Sequence, residues 1–485
     1  MTGFDLFGVD DSRQITRLCN NTNQVIANSC FFCTTGVSAD RHDFVDTAIE
    51  KGAICIVHSK PFTTYYDHIL YIKVDDVQKE LVRVADLYYG DPSRHLTLYG
   101  ITGTNGKTST AVMIYDLLKQ LKVKAGYMGT VAIRYDDIEL PAKLTTPDII
   151  EFRELLSDMV NHQIDSVAIE VSSQGLSLGR VDNIDFDVVG FTNLTQDHLD
   201  YHKNMEAYFN AKKRLFDQAK PSCIMVINED DEYGQRLIHT GYTQSIVTYG
   251  THPTADYQAA DIKLFDDHTE FKLIHKHQSY DVYSSRVARF NVYNLVLAIA
   301  MIHNQTHVSL QEIVSAAATL SEITGRVNFL DYGQDFKVIV DYSHTPDGME
   351  KMYQYCKDII NPNNKVIAVF GSAGGRDHDK RPMMGQVSDA YCDVIVLTED
   401  DPRSESVLDI AHDIKTGITK TETIIEPNRY LAIKNAIMRA DPGDIVVIMG
   451  KGLETYQHGP SGKEPWMGDP DAVKQSLEEK NEHTQ

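Results

Sequence analysis

The run Gly103-Thr104-Asn105-Gly106-Lys107-Thr108-Ser109 puts two glycines, a lysine and several hydroxyls within a few residues of each other. Glycines at 103 and 106 let the backbone turn tightly and aim its N–H groups at phosphate oxygens, Lys107 can reach terminal phosphates, and Thr108 can ligate Mg2+. The fuller phosphate-loop pattern asks for glycine where Ile101 stands. The shorter pattern, placed after a strand, still points to a nucleotide phosphate site rather than a chance glycine turn. Glu170 closes the apolar run Val167-Ala168-Ile169, at a strand's carboxyl end where open α/β sheets place ligands. A carboxylate there suits Mg2+; alone it would read as a solvated strand-end residue, and the phosphate loop tips the balance. His198 and His202 have the spacing of one helical face but lack the glutamate of a zinc protease motif, so no transition-metal site is expected. For His198 a phosphate or second-Mg2+ contact competes with a plain surface histidine. By charge pattern, Lys212 with Lys213 and Arg214 reads as a solvated cation in a basic helix start.

The elements that must carry these residues follow from periodicity. Residues 98–102 form a strand, and Ala111, Ile114, Leu118 and Leu121 recur at helical spacing after the loop. Short β-branched runs at 166–171, 188–191 and 224–227, separated by helical segments, predict a mostly parallel sheet covered on both faces. Buried-type strands at 365–370, 393–398 and 444–449 predict a second α/β sheet. Before about residue 95, apolar runs at 30–33, 53–57 and 69–74 alternate with polar helical stretches such as 43–51, a small α/β module. The expected fold class is α/β in three domains: a small N-terminal domain 1–96, a central phosphate-loop domain 97–325 with a mostly parallel sheet, and a Rossmann-like C-terminal domain 326–485.

Composition narrows the function classes. A net charge of −23 argues against nucleic acid as the main partner. The first ten residues carry no basic segment and no apolar run approaches a membrane span, so a cytoplasmic protein without membrane insertion is expected. Seven scattered cysteines suit reduced thiols, and Cys30-Phe-Phe-Cys33, with no second pair at metal spacing, reads as buried core.

Further motifs share the chain: Thr145-Thr146-Pro147-Asp148, Glu170-Val171-Ser172-Ser173, Thr192-Asn193-Leu194 with Asp197-His198, Asn291-Val292-Tyr293-Asn294, Gly325-Arg326, Asp341-Tyr342-Ser343-His344-Thr345-Pro346-Asp347, and Arg376-Asp377 with Lys380-Arg381-Pro382. In this order they resemble the Mur ligase family of bacterial cell-wall synthesis, in its UDP-N-acetylmuramyl-tripeptide synthetase (MurE-type) branch, over essentially the whole chain. The resemblance implies an N-terminal domain for the UDP moiety, a central ATPase domain and a C-terminal domain for the incoming amino acid. The implied reaction uses ATP and Mg2+: a glutamyl carboxylate takes the γ-phosphoryl group, and an amine displaces phosphate from the acyl phosphate. Lys107, Glu170, His198 and Lys212 would be catalytic. Thr108, Glu170, His198 and a carbamylated Lys212 would ligate Mg2+. Asn294, Arg326 and Asp341 would hold adenine and ribose, and Thr145, Thr146, Ser172 and Arg180 the muramyl peptide; Arg180 also suits a carboxylate or phosphate chemically. The N-terminal domain departs from the pattern, with Asn21-Thr22-Asn23 where many members carry Asp-Ser-Arg.

The implied amino-acid site comprises Arg376, Asp400, Asp401, Arg403, Gly450 and Glu454. Diaminopimelate-adding members carry Asp-Asn-Pro-Arg where this chain has Asp400-Asp401-Pro402-Arg403. Arg403 favours a distal carboxylate, whereas a buried Asp401 would oppose it by about 1–3 kcal/mol. Glu454 can hold the distal ammonium of either diamino acid. With Glu399, Asp400, Asp401 and Glu454 against one arginine, the pocket reads as net acidic, favouring L-lysine over meso-diaminopimelate. The expected partners are UDP-N-acetylmuramyl dipeptide and a free diamino acid, handled by a monomer. Two rivals are a folylpolyglutamate synthetase-like ligase, which an acidic pocket disfavours, and a nucleotide-binding regulator, which needs no second metal site.

Overall fold

Short β-branched runs buried on both faces, alternating with helices, build parallel sheets because each crossover lays a helix over the sheet. The computed structural model describes residues 1–36, 39–320, 323 and 325–484. They fall into one unit of residues 1–100, 123–187 and 214–220 and a second of 101–122, 188–213 and 221 onward.

In the first unit, strands Arg17–Cys19, Ser29–Phe32, Ala53–His58 and Leu70–Lys73 pair in that order, all parallel. Helix Val77–Tyr89 starts where Asp76 accepts the N–H groups of Gln78 and Lys79 and stops at Gly90 in a left-handed conformation. Its Leu81, Val84 and Ala85 pack with Leu18, Cys30, Phe32, Cys55 and Val57. Cys30 and Cys33 are buried free thiols, as are the other five cysteines. Farther along, Ala125–Met128 runs parallel to Ser166–Glu170 and antiparallel to Ile133–Tyr135. Arg153, fully buried, donates to Asp86 at 2.6 Å and to the carbonyl of Asp182 at 2.6 Å.

The second unit holds strands Val188–Phe191, Ile224–Asn228, Ser245–Gly250 and Tyr257–Leu264 in parallel, followed by Thr269–His275 and Gln278–Ser284 in antiparallel pairing. These last two strands escaped the pattern reading because only one face is apolar: Phe271 and Leu273 are buried while Lys272 is exposed. Helix Arg289–Gln305 is buried continuously over 294–302, as a helix apolar all round must be. The second sheet has the order Asn328–Phe329, Lys337–Asp341, Ile445–Met449, Val366–Phe370, Val394–Leu397, Glu422–Ile425, parallel except at its first strand. It contains the three expected strands and adds three.

One buried ion pair secures the carboxyl ends of that sheet. Arg429 and Asp469 both have fully buried side chains, with Arg429 Nε and Nη2 each 2.7 Å from an Asp469 oxygen. The remaining guanidinium donors reach the carbonyls of Glu399 at 3.1 Å and Met449 at 3.1 Å, so one side chain ties the last residue of strand Ile445–Met449 to the loop after strand Val394–Leu397, with Val366–Phe370 lying between the two strands. Arg429→Met would strand the Asp469 charge and both carbonyls. It should cost about 3–5 kcal/mol, read as a lowered midpoint in urea unfolding; an unchanged midpoint would show that these strand ends are held by something else.

Candidate active site

Gly103 has φ +149° and Gly106 φ +88°, backbone that favours glycine. Space imposes the same choice, since a Cβ on Gly103 would stand 1.8 Å from Thr192 Oγ1 and one on Gly106 2.3 Å from Asn294 Oδ1. Asn193 braces the loop: its carbonyl accepts Thr104 N–H at 2.8 Å and its Oδ1 accepts Asn105 N–H at 3.0 Å. Asn105 in turn donates its side-chain amide to Asp347 at 2.7 Å. Helix Lys107–Gln120 begins at Gly106, with Thr108 and Ser109 buried in its first turn. Lys107 Nζ curls back onto the carbonyls of Gly103 at 3.0 Å and Thr104 at 2.8 Å.

Lys212 corrects the charge-pattern reading. It lies inside helix Met205–Asp217, not at its start, and is 1% exposed, not solvated. It shares the inward stripe of Tyr208, Ala211 and Leu215, a spacing the neighbouring Lys213 and Arg214 obscure in the sequence. Its Nζ donates to the Gly103 carbonyl at 2.6 Å and sits 4.6 Å from the Tyr208 ring centroid. Burial, then the charge of Lys107, push its pKa well below the usual lysine range, with Asp197 opposing.

His198 has φ +55° and stands outside the helix Leu199–His202, so the two histidines do not share a helical face. His202 instead stacks on Tyr208, with ring centroids 5.0 Å apart. Burial lowers the His198 pKa to about 4, with Asp197 opposing and Lys212 and Lys107 assisting; near neutral pH the ring carries no charge and keeps a lone pair for an electrophile. Asp197 lies 3.4 Å from His198, 3.8 Å from Lys380 and 4.0 Å from His344. Against its burial, Lys380, His198 and His344 hold its carboxyl below the usual range. The roles of Asp197, His344 and Lys380 were missed, though all three stand in motifs. Their signal would have been the mixing of acids and bases at strand ends. Among the described residues no group of three or more His, Cys, Asp or Glu side chains is placed to hold a metal ion.

A cleft of about 170 Å3 is lined by Asp197, His198 and Asp200 and by Tyr342, His344, Arg376, Asp400, Asp401, Arg403, Gly450 and Glu454, among others. Its C-terminal lining follows four adjacent strands of the second sheet, at their carboxyl ends, the usual ligand position in such sheets. A Cβ on Gly450 would meet Asp400 Oδ2 at 2.1 Å. Asp401 does not oppose Arg403 as a free charge. Its Oδ1 accepts Lys451 Nζ at 2.8 Å and His458 N–H at 2.9 Å. Lys451, 1% exposed, also lies 2.6 Å from Glu454. Against burial, Lys451 keeps Asp401 ionised below its ordinary range, whereas burial raises Asp400 to about 6. The count of four acids against one arginine therefore fails: it left out Lys451, a buried lysine that pairs with two of them. Arg403 N–H donates to the His458 carbonyl at 2.8 Å and its Nη1 to the Gly374 carbonyl at 2.7 Å.

Nearer the phosphate loop, Asn294 Nδ2 donates to Asn291 Oδ1 at 3.1 Å. Asp341 accepts the N–H groups of Val327 at 2.8 Å and Ser343 at 2.7 Å, and Arg326 lies 5.0 Å from the Tyr342 ring centroid. In the first unit, Glu170 is fully buried and accepts Tyr127 OH at 2.7 Å and Thr130 N–H at 2.8 Å. The expected peptide contacts gather around it. Thr146 Oγ1 donates to the Glu170 carbonyl at 2.8 Å and lies 3.2 Å from Ser172 Oγ, Thr145 Oγ1 lies 3.1 Å from Thr130 Oγ1, and Arg180 donates to the Thr146 carbonyl at 2.9 Å.

Residues 101–302 match the Mur ligase middle domain and residues 325–452 the Mur ligase, glutamate ligase domain. The chain is 38% identical, over 94% of its length and 93% of the relative's, to UDP-N-acetylmuramoyl-L-alanyl-D-glutamate--2,6-diaminopimelate ligase 1 of Clostridium acetobutylicum. It is 39% identical to the corresponding diaminopimelate ligase of Geobacillus kaustophilus over 91% of both chains. A solved structure of a UDP-N-acetylmuramoyl-L-alanyl-D-glutamate--2,6-diaminopimelate ligase superposes with a TM-score of 0.69 at 28% identity, covering 99% of each chain. These relatives do not support the inclination to L-lysine, and the Lys451 pairing removes the charge count that motivated it.

His202 gives the site a pH signature. Burial, then the charge of Lys212, lower its pKa to about 4, against about 6.5 in an unfolded chain. Between those values the unfolded chain binds a proton that the folded chain does not, so the stability contributed is complete above about pH 6.5 and is lost as the pH falls toward 4. The loss should be on the order of 2–3 kcal/mol. His202→Phe keeps a ring on Tyr208 but cannot titrate, and should flatten that part of a urea-unfolding pH profile; superimposable profiles would refute the assignment.

Proposed function

The chain belongs to the Mur ligase family, and we propose that this ligase adds the third residue, a diamino acid, to UDP-N-acetylmuramyl-L-alanyl-D-glutamate through an acyl phosphate made with ATP. The observation that carries this reading is that one cleft is lined both by His198, within the field of Lys107 and Lys212, and by Arg403 and Glu454. A peptide carboxylate activated at one end would meet an amino acid held at the other. The reading assigns 1–96 to the UDP moiety, 97–325 to ATP and 326–485 to the amino acid.

Lys107 and the loop N–H groups would neutralise the charge that spreads over the transferring phosphoryl group. Asn294, Arg326 and Asp341 would hold the nucleoside, and Thr145, Thr146, Ser172 and Arg180 the muramyl peptide. Mg2+ supplies charge neutralisation on the phosphates when bound. Thr108, His198 and Lys212 of the second unit would hold it with the phosphates, and Glu170 of the first has the carboxylate chemistry for such an ion. The low-pKa amine of Lys212 favours the unprotonated form, which carbamylation requires.

The incoming residue is read as meso-diaminopimelate. Arg403 supplies a cation for its distal carboxylate, Glu454 an acceptor for its distal ammonium, and Lys451 cancels the extra charge of Asp401. The relatives' names carry 2,6-diaminopimelate.

Incubation with ATP, Mg2+, the UDP-linked dipeptide and either diamino acid should release phosphate and yield a tripeptide mass with diaminopimelate. Phosphate without product would favour a non-ligating nucleotide regulator, and no phosphate with any amino acid would sink the proposal. Arg403→Ala should raise KM for diaminopimelate roughly tenfold to a hundredfold, the worth of a charged hydrogen-bond pair. An unchanged KM would remove Arg403 from recognition. Lys212→Ala should lower ligation at least about a hundredfold, the scale of losing a charge-stabilising group, and a near-normal rate would exclude it from the chemistry.

A further inference from the structure

The cleft contains two buried carboxylate oxygens that the protein leaves unsatisfied. Asp377 is 5% exposed; its Oδ1 accepts Asp379 N–H at 3.0 Å, but its Oδ2 has no hydrogen-bond partner among the described residues. In the same lining, Asp200 Oδ1 is likewise buried and unpartnered, while Asp200 Oδ2 lies 3.8 Å from Arg376 Nη1. A buried acceptor left without a donor costs roughly 1–3 kcal/mol, and more when charged. Such groups persist where a ligand completes them. A cationic donor able to serve more than one oxygen would complete them, and a primary ammonium with three N–H groups meets that description.

The signs of the neighbouring charges narrow the ligand further. Arg376 stands next to Asp377 in sequence and faces Asp200, so cationic and anionic groups alternate as they do in an α-amino acid zwitterion. Arg376 can take the α-carboxylate while Asp377 and Asp200 take the α-ammonium. The same cleft is lined by Asp197, His198, Arg403 and Glu454 as well.

We propose that Asp377 binds the α-ammonium of the incoming amino acid, with Asp200 as second acceptor, and removes its proton before attack. This deepens the ligase reading and rests on it. An ammonium has no lone pair, so amide formation requires a proton acceptor beside it. One N–H bond breaks, its electron pair stays on nitrogen and the proton goes to Asp377 Oδ2. The freed pair forms the bond to the acyl carbon, and the carbon–oxygen bond to phosphate breaks with its electrons on phosphate. A second nitrogen proton leaves with that phosphate as hydrogen phosphate, and Asp377 returns its proton to solvent.

Hydroxylamine distinguishes this role from a structural one, because it is already unprotonated near neutral pH and traps an acyl phosphate as a hydroxamate. With ATP, Mg2+ and the UDP-linked dipeptide, Asp377→Asn should form hydroxamate within about twofold of the unsubstituted rate. Its kcat for joining the amino acid should fall by about a hundredfold or more, and Asp377→Glu should recover part of that loss. Equal losses with both nucleophiles, or an unchanged kcat for the amino acid, would overturn the proposal. If the unsubstituted protein forms no hydroxamate, the ligase reading itself fails and this proposal with it.

Discussion

Burying the Lys212 amine against the Gly103 carbonyl is the constraint around which the second unit is arranged. An isolated ammonium in the interior is too costly to keep charged, so a protein must pair it or let it lose its proton. Here both pressures act. Tyr208 offers a ring face and Lys107 adds like charge, while the compensating anion is Asp197. Asp197 is in turn balanced by Lys380 and the two histidines 198 and 344. Lys212 thus shares its counter-anion, Asp197, with Lys380 and the two histidines, which links the phosphate loop to position 380.

Much of this was legible in the sequence, for physical reasons that differ by residue. Glycines 103 and 106 announce themselves because their positive φ angles and missing Cβ atoms are requirements of the turn. The parallel strands are legible because two buried faces demand unbroken apolar runs. Thr269–His275 and Gln278–Ser284 were not, since a half-exposed strand spends every other residue on solvent. Lys212 was misread because burial is a tertiary property: two solvent-facing basic neighbours made a local pattern that the helix's inward stripe overrode.

Asp401 shows the corresponding limit for charges. Counting acids in a motif treats each as free, but the field at a ligand depends on which are already paired. Lys451 reaches Asp401 from fifty residues away in sequence, a partnership that only the strand order of the second sheet creates. Arg429 works at the same sheet ends without touching the cleft, trading a buried ion pair for two fixed carbonyls.

The Asp401-Pro402-Arg403 turn carries a further consequence. Asp401 and Arg403 both hold left-handed backbone, with φ +47° and φ +52°, and the turn is stitched to Gln457 and His458 by Asp401 N–H at 3.3 Å, Asp401 Oδ1 at 2.9 Å and Arg403 N–H at 2.8 Å. Its path is therefore set by residues 457 and 458, through one main-chain bond and two bonds that each use one side chain. Path and side chain are separable here: a substitution at position 403 keeps the main-chain bond to His458 while changing the group that lines the cleft.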